Sequence, residues 1–211
     1  MSFQGFSQSD FSVFKIEGFE NRMEAIRNQI QPKFHELGTV LTDIVSMEMG
    51  NEMYLHVAKH ARRKVNPPND TWFAISPNKR GYKSHPHFQV GLFDDHLFIW
   101  LAYIYEYPNK AQLGDMYLEH LEQISDLLGN DFVLSTDHTK KEAARVTKTE
   151  LEKALIRLKQ VKKAELLIGK HILHTDPILG DGKALTEMIS ETIKRLIPLY
   201  QHTFAYEQVN N

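Results

Sequence analysis

The chain has 211 residues, 42% of them hydrophobic and 25% charged, which is the composition of a folded globular protein rather than a fibrous or disordered one. It contains no cysteine, so disulfides, thiolate metal sites and cysteine nucleophiles are excluded. The net charge is only −2, but residues 56–91 hold seven Lys/Arg against one acid, Asp70, a local +6 that leaves −8 for the remainder; an asymmetry of this kind bears on partners and steering, not on fold.

The opening MSFQGFSQSDF has neither a basic start nor an apolar run, so no signal peptide is expected. Met23, Ile26, Ile30, Phe34, Leu37, Leu41, Ile44 and Val45 keep helical spacing on one face. Pro32 falls inside that series and implies either a kink or a second helix with Pro32 in its first turn. A β-rich middle follows, with strands expected over 52–59, 71–76, 88–93 and 97–105. Asp94-Asp95 makes a two-residue hairpin loop, which sets Phe93 opposite His96 and fixes the register. Phe88, Val90 and Leu92 then share a plain apolar face with Leu101, Ile99 and Leu97, while His87, Gln89 and Gly91 lie beside Ala102, Trp100 and Phe98 on a mixed aromatic and polar face.

Asn109 is expected to cap a helix that Gly129 stops, with Leu113, Met116, Tyr117, Leu121, Ile124, Leu127 and Leu128 buried. A short strand over 132–137 comes next. Thr149-Glu150-Leu151-Glu152 reads as a capping box that opens a helix running to about residue 164, with Leu151, Leu155, Leu158 and Val161 as its core stripe. A strand over 166–173 and a helix over 183–200 complete the chain. A single domain over 1–205 with a frayed tail over 206–211 is expected. Because strands and helices are grouped and the hairpin is antiparallel, the predicted fold class is α+β: a two-layer sandwich, mostly antiparallel, with helices packed on one face. The longest unbroken apolar run, 97–105, is nine residues, against about twenty for a membrane span. A cytoplasmic protein with no membrane partner is therefore expected.

The common nucleotide-binding, α/β-hydrolase and zinc-protease signatures are missing; the nearest string to a phosphate-binding loop, AELLIGKH, has Ala and His where Gly and a hydroxyl residue belong. No metal site and no cofactor are expected. His85 and His87 point the same way on a strand, but a pair falls short of the three or four protein ligands zinc takes, and the register puts His96 about 20 Å from His87. His56 and His60 lie about 13 Å apart along a strand.

The stretch AKHARRKVNPPNDTW concentrates Lys59, Arg62, Arg63 and Lys64 before a stiff double proline, and PNKRGYK adds Lys79, Arg80 and Lys83. Where two basic loops converge they make an anion site, because a guanidinium fork matches phosphate or carboxylate. Trp72, His85 and Gln89 would shape such a site, with His87 or His60 as candidate acid–base groups. The leading expectation is a protein that binds a phosphate-rich anion, either nucleic acid or a phosphorylated small molecule. The alternatives are an enzyme on a small phosphorylated or carboxylated substrate, with a histidine acid/base and an arginine clamp, and a structural or protein-interaction module. A continuous basic stripe would favour a polymer, and a pocket with a carboxylate orienting one histidine would favour the enzyme. If strand 71–76 runs antiparallel to its neighbours, the two loops need not lie at the same end of the sheet.

The strings HVAKHARRKVNPPNDTWFAIS, NKRGYKSHPHFQVGLFDDHLFIWLA and LIRLKQVKKAELLIGKHI, with the opening FSQSDFSVFKIEGFENRMEAIR, resemble the YktB-like family of Gram-positive bacteria over essentially the whole chain. That resemblance implies a compact two-layer α/β domain of unknown function in a cytoplasmic bacterial setting. It carries no reaction, cofactor or catalytic residue.

Overall fold

The computed structural model describes residues 3–61 and 63–210; Arg62, one of the expected anion-binding residues, lies outside them. Short helices α1 (Gln8–Ser12) and α2 (Phe19–Ala25) lead through a π-helical turn, Ile26–Ile30, into α3 (Gln31–Met49). Pro32 sits in the first turn of α3. Proline has no N–H to donate to the preceding turn, and the widened π turn directly before it takes up the break without ending the helical run. Gly50, at φ 66°, terminates α3 in the left-handed region.

Seven strands follow: β1 (Tyr54–Val57), β2 (Thr71–Ser76), β3 (His87–Leu92), β4 (His96–Tyr103), β5 (Val133–Ser135), β6 (Ala144–Arg145) and β7 (Leu166–Leu173). They form one sheet in the order β1-β2-β3-β4-β7-β5-β6, and all its pairings are antiparallel. The β3–β4 register is the one the Asp94-Asp95 loop dictates, with Phe88 opposite Leu101, Val90 opposite Ile99 and Leu92 opposite Leu97. The short pairing of β6 with β5 is an addition to the expected strands, and two residues are too few for a periodic signal.

The helices α4 (Lys110–Glu119), α5 (Leu121–Leu128), α6 (Lys148–Gln160) and α7 (Gly182–Asn210) complete the chain. Three details differ from expectation. His120, at φ −111° and ψ 21°, leaves helical geometry and divides the segment after Asn109 into α4 and α5. The cap of α6 is Thr147, whose Oγ1 accepts from the Glu150 backbone N–H at 3.1 Å; Thr149 already lies inside the helix. The helix ends at Gln160, so Val161 becomes its C-cap and is exposed rather than part of the core stripe.

One face of the sheet packs against helices. Phe73, Ile75, Phe88, Val90, Ile99, Leu101 and Ile168 are fully or almost fully buried there with Phe34, Leu37 and Leu41 of α3 and Leu185, Ile189 and Ile193 of α7. The opposite face carries Trp72, Ala74, Phe98, Trp100, Ala102 and Leu167. No helix covers it. It is closed by the segments that follow β1, β2 and β5, which bring Ala58, Tyr82 and Ala143 onto it. The structure is therefore an α+β two-layer sandwich whose second sheet face is roofed by loops. Among the described residues, no helix is long and apolar enough to cross a membrane.

The tightest point in the sheet is Gly169, in β7 opposite Trp100, where an added Cβ would collide with the Ile99 carbonyl oxygen and meet the Trp100 ring. Gly169→Ala is expected to cost about 3 kcal/mol, because the obstructing atom is backbone. Gly180→Ala, where a Cβ meets nothing within 4 Å, should stay within about 0.5 kcal/mol of the parent. Urea unfolding midpoints of the two variants check this.

Candidate functional site

The basic segments lie at opposite ends of the β2 strand. The 58–70 loop joins β1 to β2, and the 77–86 loop leaves the other end of β2 for β3. They nevertheless meet, because the second loop folds back along the open sheet face. Gly81, at φ 69°, allows the reversal and starts a 3-10 turn, Tyr82–Ser84. Tyr82 then lies flat on the sheet: its ring stacks on His56 at 4.8 Å and meets His87 edge-on at 5.0 Å. Its Oη accepts a 3.0 Å hydrogen bond from Trp72 Nε1–H. Lys83 follows, with Nζ 5.2 Å from the centre of the Trp72 ring.

The result is a cleft of about 340 Å³ lined by Ala58, Lys59, His60, Ala61, Arg63, Trp72, Tyr82, Lys83 and His138. Three of the expected anion-binding residues, Lys59, Arg63 and Lys83, come together there with Trp72. The others do not. Lys64 and Arg80 are exposed and outside the cleft. Lys79 remains at the far end of the sheet, with Nζ 5.2 Å over the Tyr54 ring. The fold-back begins only after Gly81, so cations preceding it stay behind.

The expected histidines take other roles. His87 is fully buried. Its Nδ1–H donates to the His85 carbonyl at 2.7 Å, which leaves Nε2 to accept from the Gln89 amide at 2.8 Å. Both ring nitrogens are thus engaged, burial lowers its pKa to about 3, and Tyr82 covers it. His87 is therefore not placed to exchange a proton with a bound molecule, and Gln89 and His85 support it from behind instead of shaping the cleft. His60 does line the cleft, but its Nε2 is within 3.1 Å of Thr71 Oγ1. Burial, with Arg63 and Lys83 beside it, lowers its pKa to about 4. It is the one non-glycine residue at positive φ among those described, at 48°, a conformation that costs on the order of 1 kcal/mol.

Three residues not singled out from the sequence complete the site. Asp70 is 4% exposed; burial raises its pKa to about 6, and the nearby charges of Arg63 and Lys83 oppose the rise. Glu165, also 4% exposed, sits just before β7. It accepts from the backbone N–H of Tyr105 at 3.2 Å and of His138 at 2.8 Å. Its oxygens lie 2.9 and 2.8 Å from His138 Nδ1. A carboxylate with two backbone donors is an acceptor, so Nδ1 carries the proton and Nε2 does not; the residue itself lines the cleft. The His138 ring approaches Trp72 edge-on at 6.4 Å.

The sequence predicts no metal site. Among the described residues, Asp137, His138 and Glu165 are the group that offers three ligand-capable atoms within 4.8 Å of one another. Their oxygens already have donors, since Asp137 Oδ1 accepts from the backbone N–H and the hydroxyl of Thr139 and Glu165 holds three N–H groups. The arrangement is a hydrogen-bonded carboxylate–histidine pair. A sequence signal for Glu165 existed: strand alternation places it on the same face as Leu167, the face that the loops cover.

A basic, loop-roofed cleft on an antiparallel sheet, with a histidine held by a buried carboxylate, is the site this fold presents. The domain of unknown function DUF1054 matches residues 6–200. The chain is 53% identical over 201 residues to UPF0637 protein ABC2405 of Shouchella clausii, covering 95% of each chain. It is 54% identical over 198 residues to UPF0637 protein OB1420 of Oceanobacillus iheyensis, covering 93% of this chain and 95% of that one. A UPF0637 protein of Exiguobacterium sibiricum is 51% identical over 196 residues, covering 93% and 96%. The chain belongs to this family of Gram-positive bacterial proteins, in agreement with the resemblance read from its sequence.

Asp70 gives a pH-dependent stability. The folded protein binds its proton up to about pH 6, whereas the unfolded chain releases it near 3.8. Stability therefore falls as pH rises through that window and stays lower above it. Asp70→Asn should raise stability at pH 8 by about 3 kcal/mol, with the gain vanishing below about pH 4. Urea unfolding at pH 4, 6 and 8 reads it directly, and a gain independent of pH would mean that the carboxylate is not its source.

Proposed function

We propose that this protein binds a small anion, a phosphorylated molecule in the first instance, in the cleft between the 58–70 and 77–86 loops, and that it does so in the cytoplasm. The observation that carries this reading is the meeting of Lys59, Arg63 and Lys83 around one cleft of about 340 Å³. That volume lies at the lower end of the range for small-molecule sites. It holds a phosphate and a modest organic group. A nucleic-acid surface would instead spread its cations along a backbone track, whereas here Lys64, Lys79 and Arg80 stand apart from the cleft. Trp72 and Tyr82 give the site a rigid aromatic wall, and the Pro67-Pro68 pair limits the ordering cost of the loop.

An Arg or Lys bond to phosphate is charge-assisted and worth about 1.5–3 kcal/mol. Arg63→Gln and Lys83→Gln should each weaken binding of inorganic phosphate or pyrophosphate about tenfold or more by titration calorimetry. Lys79→Gln should leave it unchanged, and all three should unfold like the parent. A single-stranded oligonucleotide should bind more weakly than pyrophosphate at equal salt. Tighter oligonucleotide binding, with a steep salt slope that Lys79→Gln and Arg80→Gln reduce, would favour the polymer reading instead.

A further inference from the structure

We propose that the cleft is an active site for hydrolysis of a small phosphate monoester, with His138 as its catalytic base and Glu165 as the residue that positions His138. The inference rests on the anion-binding reading and extends it.

The geometry that points to it is a division of labour around one ring. Glu165 is buried and held in place by two backbone N–H groups, from Tyr105 and His138, so it cannot swing away. It takes the Nδ1 proton of His138 at 2.8 Å. This fixes the tautomer: His138 lines the cleft, and its unprotonated Nε2 is the ring nitrogen that Glu165 does not engage. A buried carboxylate that orients a histidine next to a substrate cavity is the arrangement that acid–base and nucleophilic catalysis both require. His87 differs: it is fully buried, with both ring nitrogens engaged by the His85 carbonyl and the Gln89 amide. His138 also differs from His60, which shares the cleft but has Nε2 occupied by Thr71.

The lining identifies the nucleophile. No serine, threonine or cysteine is among the described residues that line the cleft, and the chain has no cysteine at all. The attacking group is then water, which the open cleft admits. Arg63, Lys83 and Lys59 surround the phosphoryl oxygens, where charge is greatest in the transition state. In the step, a water oxygen bonds to phosphorus as its proton passes to His138 Nε2. The bond from phosphorus to the ester oxygen breaks on the opposite side, in line with the attack; the departing alkoxide takes a proton from water in the open cleft, and His138 gives its proton back to solvent. One ester and one water give one alcohol and one phosphate, and the histidine returns to its starting state. Glu165 stabilises the transient imidazolium through the Nδ1–H bond.

The test uses the full-length chain with p-nitrophenyl phosphate and adenosine monophosphate as substrates, inorganic phosphate as the binding probe, and the imidazole ¹⁵N spectrum of His138. Release of phosphate from at least one of the two esters is expected, reduced about 10²-fold or more by His138→Gln, with phosphate binding retained. Glu165→Gln should lower the rate and move the acid limb of the pH–rate profile to lower pH, because the imidazolium loses its carboxylate. Should Glu165→Gln fail to fold, the wild-type spectrum still decides, since the neutral ring must be the Nδ1–H tautomer. A dominant Nε2–H tautomer, or hydrolysis that survives His138→Gln, would overturn the assignment. Phosphate binding without turnover of either ester would overturn the hydrolase and leave the anion-binding reading standing, whereas absence of phosphate binding would remove both.

Discussion

A seven-stranded sheet has two faces to bury, and the helices of this protein cover only one of them. The second face, with Trp72, Phe98, Trp100 and Leu167, is kept from water by loops. Loops bring backbone N–H and C=O groups that have no strand or helix partner, and each must be satisfied once it is drawn over an apolar surface. That requirement explains an unusual set of side-chain to backbone bonds on this side of the molecule. Glu165 takes the N–H groups of Tyr105 and His138. Ser135 Oγ donates toward the carbonyls of Asp137 and Glu142 at 3.2 Å. His56 Nε2 lies 2.8 Å from the Asn78 carbonyl, and Lys110 Nζ donates to the carbonyls of Lys162 and Ala164. His138, whose backbone N–H Glu165 holds, is where this roofing meets the cleft.

The energetic cost is concentrated in the same place. Asp70 is kept in a buried setting that disfavours its charge, and His60 holds a left-handed backbone without being glycine. Neither feature adds to stability. His60 lines the cleft, and Asp70 feels the charge of Arg63 and Lys83 that line it; strained backbone and perturbed carboxylates gather where a site has to bind or react. Among the described residues, the helix-covered face consists of well-packed aliphatic and aromatic side chains, with the buried Tyr200 hydroxyl as its one unpartnered side-chain polar atom. The two faces of one sheet thus divide the tasks, one giving stability and the other holding chemistry.

The fold was legible to the extent that its signals were local. The Asp94-Asp95 turn set the β3–β4 register, and the alternation along those strands separated the plain face from the mixed one. Where two local signals competed, the sequence misled. Thr147 and Thr149 each precede a glutamate by a short interval, and only packing of Leu151, Leu155 and Leu158 against the rest of the core selects Thr147 as the cap. Val161 continues the apolar spacing of α6, but the helix has ended before it. The candidate site was half legible. Charge density marked the 58–64 and 79–83 segments, yet it could not tell Lys83, which enters the cleft, from Lys79 and Arg80, which do not.

What the sequence by itself determined is the set of short-range quantities: the class of fold, the hairpin register, the apolar faces, the basic loops and the absence of thiol chemistry. Each follows from residues within a turn or a strand of one another. The tertiary structure alone decided that the 77–86 loop folds back over the sheet, that Tyr82 reaches Trp72, and that Glu165 meets His138 across 27 positions of chain. These pairings depend on which sheet face is left without helices and on which loops must cover it. No spacing along the chain encodes that, because burying the face is a demand of the whole molecule and not of any one segment.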